Sequence, residues 1–191
     1  MNNLILVDQN DNQLGTQEKL LVHQQGLLHR AFSIFVFRKY DNNLELLLQK
    51  RHKKKYHSGG LWTNSCCGHP EDQEDLIVAG QRRINEELGI QVKLMSIGKF
   101  IYRHKFANGL LEYELDHVLI GKYQNDLIIP NINEVEEFKW INKDLFETWL
   151  LSVNDSQQDL NFANNNIFTV WLLDAWKIVK ANFIQVEQLF S

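Results

Sequence analysis

The sequence predicts an α/β (α+β) fold, a mixed sheet packed as a sandwich with helices. Three observations carry that expectation: strand-like alternation fills the first half, a capped helical segment interrupts it, and an aromatic-striped helical pattern closes the chain. In order, segments 31–37 and 44–49 alternate apolar and polar positions around Asp41-Asn42-Asn43, which reads as a β-hairpin with one buried face. Segment 74–88 places Ile77, Ile84 and Leu88 at helical spacing with Ala79 and Gly80 between, and Gly89 stops it where a left-handed cap belongs. Segments 98–106 and 110–121 read as strands flanking the turn signal Asn108-Gly109. Segment 135–141 reads as a further strand, followed by a short helix capped by Asn142 and running through Leu151. Residues 152–166, rich in Asn, Gln, Asp and Ser, read as an exposed loop. Finally Phe168, Trp171, Leu172, Ala175, Trp176, Val179 and Phe183 follow the period of one amphipathic helix.

A chain of 191 residues, 44% apolar and 11% aromatic, is long enough to bury a sizeable core in a single domain spanning 1–191. Residues 1–30 form an N-terminal arm, 31–151 the core, and 152–191 the polar loop and last helix. The formal net charge of -4 and a pI near 6.0 give no general electrostatic reason to bind nucleic acid or an anionic membrane. An anionic ligand must then be held by a local site. The only cysteines, Cys66 and Cys67, are neighbours and supply no disulfide framework, which fits a reducing, cytoplasmic setting. Neither a signal peptide nor a membrane anchor is expected from the polar start and the short apolar run at 4–7.

Within 68–90 the chain reads Gly68, five residues, Glu74, seven residues, then Arg82-Arg83-Ile84-Asn85-Glu86-Glu87-Leu88-Gly89-Ile90. Glu87 and Arg83 share a face near the end of the helix, so they can act on one ligand. A carboxylate there can hold Mg²⁺ while a diphosphate supplies further oxygens, and the arginine can fork onto phosphate. Exposed ion pairs are the usual fate of such charges on an isolated helix. Here the spacing resembles the Nudix box throughout, save that Nudix hydrolases carry a glutamate where Arg83 sits. A positive charge in that place weakens the case for a multi-metal centre that activates water.

Just before this helix stands Thr63-Asn64-Ser65-Cys66-Cys67-Gly68-His69-Pro70. Further on, Glu112 and Glu114 are two apart in a strand, so they project to one face, with Asp116 continuing the row. Such a pair invites a cation, and His23, His29 and His69 supply imidazoles suited to Mn²⁺ or Zn²⁺. His52, His57, His104 and His117 keep the ordinary reading of structural or surface histidines. Together with 28–33, Glu18-Lys19 and His23, these motifs resemble the type I isopentenyl-diphosphate isomerases over about residues 4–150.

The resemblance implies a Nudix-like mixed-sheet α/β/α sandwich with an N-terminal arm and a C-terminal helix. It implies interconversion of isopentenyl and dimethylallyl diphosphate, with a Nudix hydrolase of a nucleoside or isoprenoid diphosphate as the alternative. Catalytic roles fall on Cys67, Glu114 and Tyr102, and metal ligation on His23, His29, His69, Glu112 and Glu114. Glu87 would hold the Mg²⁺ that accompanies the diphosphate, and Lys19, Arg51, Lys55 and Arg83 would bind the diphosphate itself. Proximity to the metal helix leads to the expectation that positive potential favours the Cys67 thiolate. An aromatic wall is expected from Phe162, Phe168 or Trp171. The only partner implied is the small-molecule diphosphate, bound by a monomer or weak homodimer, with no nucleic acid and no membrane.

Overall fold

The computed structural model describes residues 3–125, 127–157 and 167–191, with the backbone alone described at 154–157. The elements run β1 (Asn3–Val7), β2 (Gln13–Glu18), α1 (Lys19–Gln25), β3 (His29–Tyr40), β4 (Asn43–Arg51), β5 (Trp62–Thr63) and β6 (Cys66–Gly68). They continue α2 (Leu76–Leu88), β7 (Leu94–Lys105), β8 (Leu111–Lys122), β9 (Val135–Asn142), α3 (Lys143–Gln157), α4 (Leu172–Ala181) and α5 (Phe183–Gln188). Among the described residues no helix is long and apolar enough to cross a membrane.

β3 is the hub of the mixed sheet. β8 pairs with it in parallel over 29–37, while β1, β6 and β4 pair antiparallel with successive stretches of its other edge. β7 adds to β8, and β9 and β5 add to β4. The hairpin expected between 31–37 and 44–49 is present, with left-handed Asp41 and Asn42 (φ 46 and 62) forming its two-residue turn. Its single buried face is not. Phe35 and Phe37 of β3 pack with Phe146, Trp176 and Val179 on one side, while Ile34 and Val36 pack with Ala79, Ile84 and Leu88 on the other. A central strand covered by helices on both faces reads as a continuous apolar run, and the local alternation understated it. The arrangement is an α/β/α sandwich, in which burying each large core side chain contributes roughly 1.5–3 kcal/mol.

α2 begins at Leu76, two residues later than the sequence pattern predicts. Asp75 caps it by accepting from the backbone of Ile77 and Val78 (2.9 and 3.1 Å), which leaves Glu74 free to bind Arg82. The helix stops at Gly89 (φ 67), as its glycine requires. Gly80 brings α2 close to the sheet: a Cβ there would lie 2.8 Å from Leu94 Cδ1 and 2.9 Å from Leu119 Cδ1. This approach fixes Arg83 and Glu87 above the strands.

Two boundaries differ from expectation. Asn142 caps α3 through Asp144 and Leu145, but the helix passes Leu151 and runs to Gln157, because no glycine or proline stops it. The rest of the expected loop, 158–166, lies outside the described residues, as does Phe162. The expected single C-terminal helix is divided into α4 and α5 at Asn182 (φ -119), whose side-chain amide donates to Ile178 O at 2.9 Å. Phe168 and Thr169 precede it as extended chain bridged to Trp62.

Candidate active site

Strand register gathers the first part of the site. His29 stands opposite Glu114 across the parallel β3–β8 pair, and Tyr102 stands opposite Glu114 across β7–β8. Glu112, Glu114 and Asp116 share one face of β8, and all three are buried. α1 brings Lys19 and His23 to the same place, held by Glu18, which accepts from the backbone of Leu20 and Leu21. His69 follows β6 and reaches Glu114 Oε1 at 2.9 Å, while the Tyr102 hydroxyl donates to Glu114 Oε2 at 2.6 Å.

The histidines are oriented from behind. His23 Nδ1 lies 2.7 Å from Lys19 O, and His29 Nδ1 lies 2.9 Å from Leu27 O. A carbonyl only accepts, so both Nδ1 atoms carry a proton, and in the neutral rings that a metal would require both Nε2 atoms present lone pairs. Those Nε2 atoms are buried without a hydrogen bond, 3.0 Å from Glu112 Oε1 and 3.4 Å from Glu114 Oε1. Lone pairs facing carboxylate oxygens call for a cation between them. Donor atoms of His23, His29 and His69 lie within 4.8 Å of one another, as do those of His29, Glu112 and Glu114. Imidazole and carboxylate together, with carbonyls steering the rings, suit a first-row divalent metal.

Electrostatics follow the same geometry. In the metal-free site burial opposes ionisation of Glu114, but protonated His29, whose own pKa Glu114 raises, and the contact with His69 outweigh it and hold the carboxyl well below its ordinary range. Burial, reinforced by Lys19, pushes His69 down to about 4, so its imidazole is neutral. Asp116 goes the other way: burial and the neighbouring Glu114 keep its carboxyl well above the ordinary range, and Ser33 Oγ donates to it at 2.8 Å.

Cys67 Sγ donates to Asn64 Oδ1 at 3.2 Å and lies 3.6 Å from Ser33 Oγ. The same amide oxygen also receives Thr63 Oγ1 (2.9 Å) and Trp171 Nε1 (3.3 Å), so Asn64 fixes the thiol and the indole together. The expected thiolate is not what this setting favours. Burial, with Asp116 nearby, pushes the Cys67 thiol up to about 12. In metal-free protein, alkylation of Cys67 by iodoacetamide should therefore climb about tenfold per pH unit from pH 7 to 10 without levelling. Peptide mass spectrometry checks this, and a plateau below pH 9 would contradict it. Cys66 is fully buried against Glu87 and should stay unmodified.

One cavity of about 410 Å³ joins these parts. Cys67, His69, Tyr102, Glu112 and Glu114 line it, as do Lys19, Arg51, Lys55, Arg83 and Glu87. His23 and His29 stand behind its wall. Lys55 pairs with Glu134, and Arg83 pairs with Glu86 and Glu87 and approaches Glu134 at 3.8 Å. Glu87 Oε2 receives Gln49 Nε2 at 2.9 Å, so Mg²⁺ could be held there only after Arg83 turns from the other oxygen toward phosphate. Trp171 lines the cavity with the Arg51 guanidinium 5.5 Å from its ring centre, whereas Phe168 is spent in the core against Phe146 and Trp149.

Sequence reasoning missed two members. Glu134, just before β9, pairs with Lys55 and approaches Arg83, with no motif around it. His57, read as an ordinary histidine, lines the cavity and sits 3.1 Å from Glu112 Oε1. His52, His104 and His117 keep their ordinary reading, the last pairing with Asp11 at 2.8 Å.

The NUDIX domain family matches residues 27–161. Isopentenyl-diphosphate Delta-isomerase of Serratia proteamaculans is 44% identical over 181 residues, covering 94% of this chain and 92% of its own. Isopentenyl-diphosphate Delta-isomerase 2 of Photorhabdus laumondii subsp. laumondii is 53% identical over 139 residues, 73% of this chain and 76% of its own. Among solved structures, DR0079 from Deinococcus radiodurans superposes with a TM-score of 0.66 at 14% identity, over 94% of this chain and 98% of its own. That last likeness speaks for the fold, while the two sequence relatives reach across both the box and the thiol motif. The chain therefore belongs to the NUDIX superfamily and, within it, to the isopentenyl-diphosphate Delta-isomerase family.

Proposed function

We propose that this chain interconverts isopentenyl and dimethylallyl diphosphate by adding a proton at the terminal alkene carbon and removing one from the second carbon. The observation that carries the reading is a single cavity holding a thiol, a Tyr-linked carboxyl group and the basic side chains of Lys19, Arg51, Lys55 and Arg83. Lys19, Arg51, Lys55 and Arg83 bind the diphosphate, exchanging Glu134 and Glu86 for phosphate oxygens. Glu114, steered by the Tyr102 hydroxyl, starts protonated and delivers its proton, and Cys67 starts as the thiolate and takes the other, which leaves Glu114 as carboxylate and Cys67 as thiol, the states the metal-free site favours. Asn64 aims the thiol, and the Trp171 ring faces the positive charge that develops on the tertiary carbon. A first-row divalent cation such as Mn²⁺ or Zn²⁺, held by His23, His29, His69, Glu112 and Glu114, would supply a fixed charge that orients Glu114 and tunes its proton affinity. Mg²⁺ accompanying the diphosphate would be held by Glu87.

The proposal places the enzyme in the cytoplasm as a monomer or weak homodimer with no macromolecular partner, in keeping with its two free cysteines. Purified protein incubated with isopentenyl diphosphate in deuterated water should yield dimethylallyl diphosphate carrying deuterium, read by mass spectrometry. Release of orthophosphate without labelled product would instead establish a hydrolase.

A further inference from the structure

His57 belongs to the segment between β4 and β5 that also carries Lys55. Its Nε2 lies 3.1 Å from Glu112 Oε1, the oxygen that His23 Nε2 faces at 3.0 Å. The two imidazoles play different parts. His23 gives its Nδ1 proton to Lys19 O and offers Nε2 as a lone pair. His57 Nδ1 faces the Ser58 hydroxyl at 3.3 Å, which can donate as well as accept and so does not require a hydrogen on Nδ1, while Nε2 faces a carboxylate oxygen that only accepts; this pairing places the hydrogen on Nε2, donating to Glu112. A carboxylate held in this way presents a fixed face to the cluster, as outer partners of metal ligands do.

The His57 ring is itself immobilised. It stacks on Phe106 (centroids 4.7 Å, 22°) and meets the edge of Tyr56 at 4.5 Å. Asn108 Nδ2 donates to Tyr56 O at 3.0 Å. The segment bearing Lys55 is thus fastened to the β7–β8 turn by stacking and a hydrogen bond, and to β8 itself through Glu112.

We propose that His57 is a positioning residue that links the cation cluster to the diphosphate-binding segment. By orienting Glu112 it strengthens cation binding, and the same hydrogen bond orders the segment around Lys55, so each ligand raises the other's affinity. This rests on the cation and diphosphate assignments of the proposed function and not on the isomerisation step.

The test uses the full chain, His57→Phe, which keeps an aromatic ring against Phe106 but has no donor, and His57→Gln, whose amide N–H can stand near Nε2. Each is titrated with Zn²⁺ against a competing chelator, and with magnesium pyrophosphate in Zn²⁺-loaded and Zn²⁺-free forms. The unaltered chain should bind magnesium pyrophosphate at least about fivefold more tightly when Zn²⁺-loaded. His57→Phe should hold Zn²⁺ about 10- to 100-fold more weakly and lose that gain, while His57→Gln recovers part of both. An undiminished Zn²⁺ affinity or gain in His57→Phe overturns the proposal, as does equal loss in the two variants or no gain in the unaltered chain. Linkage present without labelled dimethylallyl diphosphate leaves the inference standing and removes only the isomerase reading.

Discussion

Cys67→Ala should abolish turnover while the cation content stays unchanged. The thiol contributes no donor to the His/Glu cluster, and its polar contacts run to Asn64 and Ser33 instead. Removing a positioned acid or base lowers rates by about 10²- to 10⁴-fold, and a deprotonation without its base falls toward the upper end. Deuterium incorporation into product measures the rate, and metal analysis after dialysis measures the content. The fold should survive, because alanine fits a short strand already held by the Asn64 amide, which donates to Ile34 O and Cys66 O. Substantial residual activity would show that another group removes the proton.

Glu114→Gln should remove both turnover and part of the cation affinity. Glu114 faces His29 and His69 through one oxygen and Tyr102 through the other, so an amide loses the transferable proton and the charge that opposes the cation. The rate should fall by about 10²- to 10⁴-fold, and chelator competition should show weaker binding than in Cys67→Ala. The two variants therefore separate on cation affinity although both fail on turnover. Full catalysis by Glu114→Gln would exclude it as the acid.

Local chemistry was legible in the sequence where it is encoded locally. The Asp41-Asn42 turn, the Gly89 stop and the Asn142 cap each depend on one or two side chains acting on their own backbone. The box and the thiol motif lie within one contiguous stretch, so their contribution to the cavity could be read directly. The parallel pairing that sets His29 against Glu114 joins strands far apart in the chain, and nothing local announces it. For the same reason β3 looked half-buried, and His57 looked ordinary. What gives His57 its place is Phe106 and Glu112 on another hairpin. The Asn182 break was hidden because helical period continues through it, and the extension of α3 was hidden because residues 152–157 have the polar composition of a loop.

The cluster draws its donors from α1, β3, the chain after β6, and β8, segments that meet only once the sheet has closed. An unfolded chain therefore has no comparable place for a cation, and whatever free energy a cation gains there is added to the stability of the whole molecule. By mass action, free metal at a thousand times its dissociation constant adds about 4 kcal/mol against unfolding. Chelation should then destabilise this protein, its melting temperature falling with the logarithm of the free metal concentration that remains until that concentration drops below the dissociation constant.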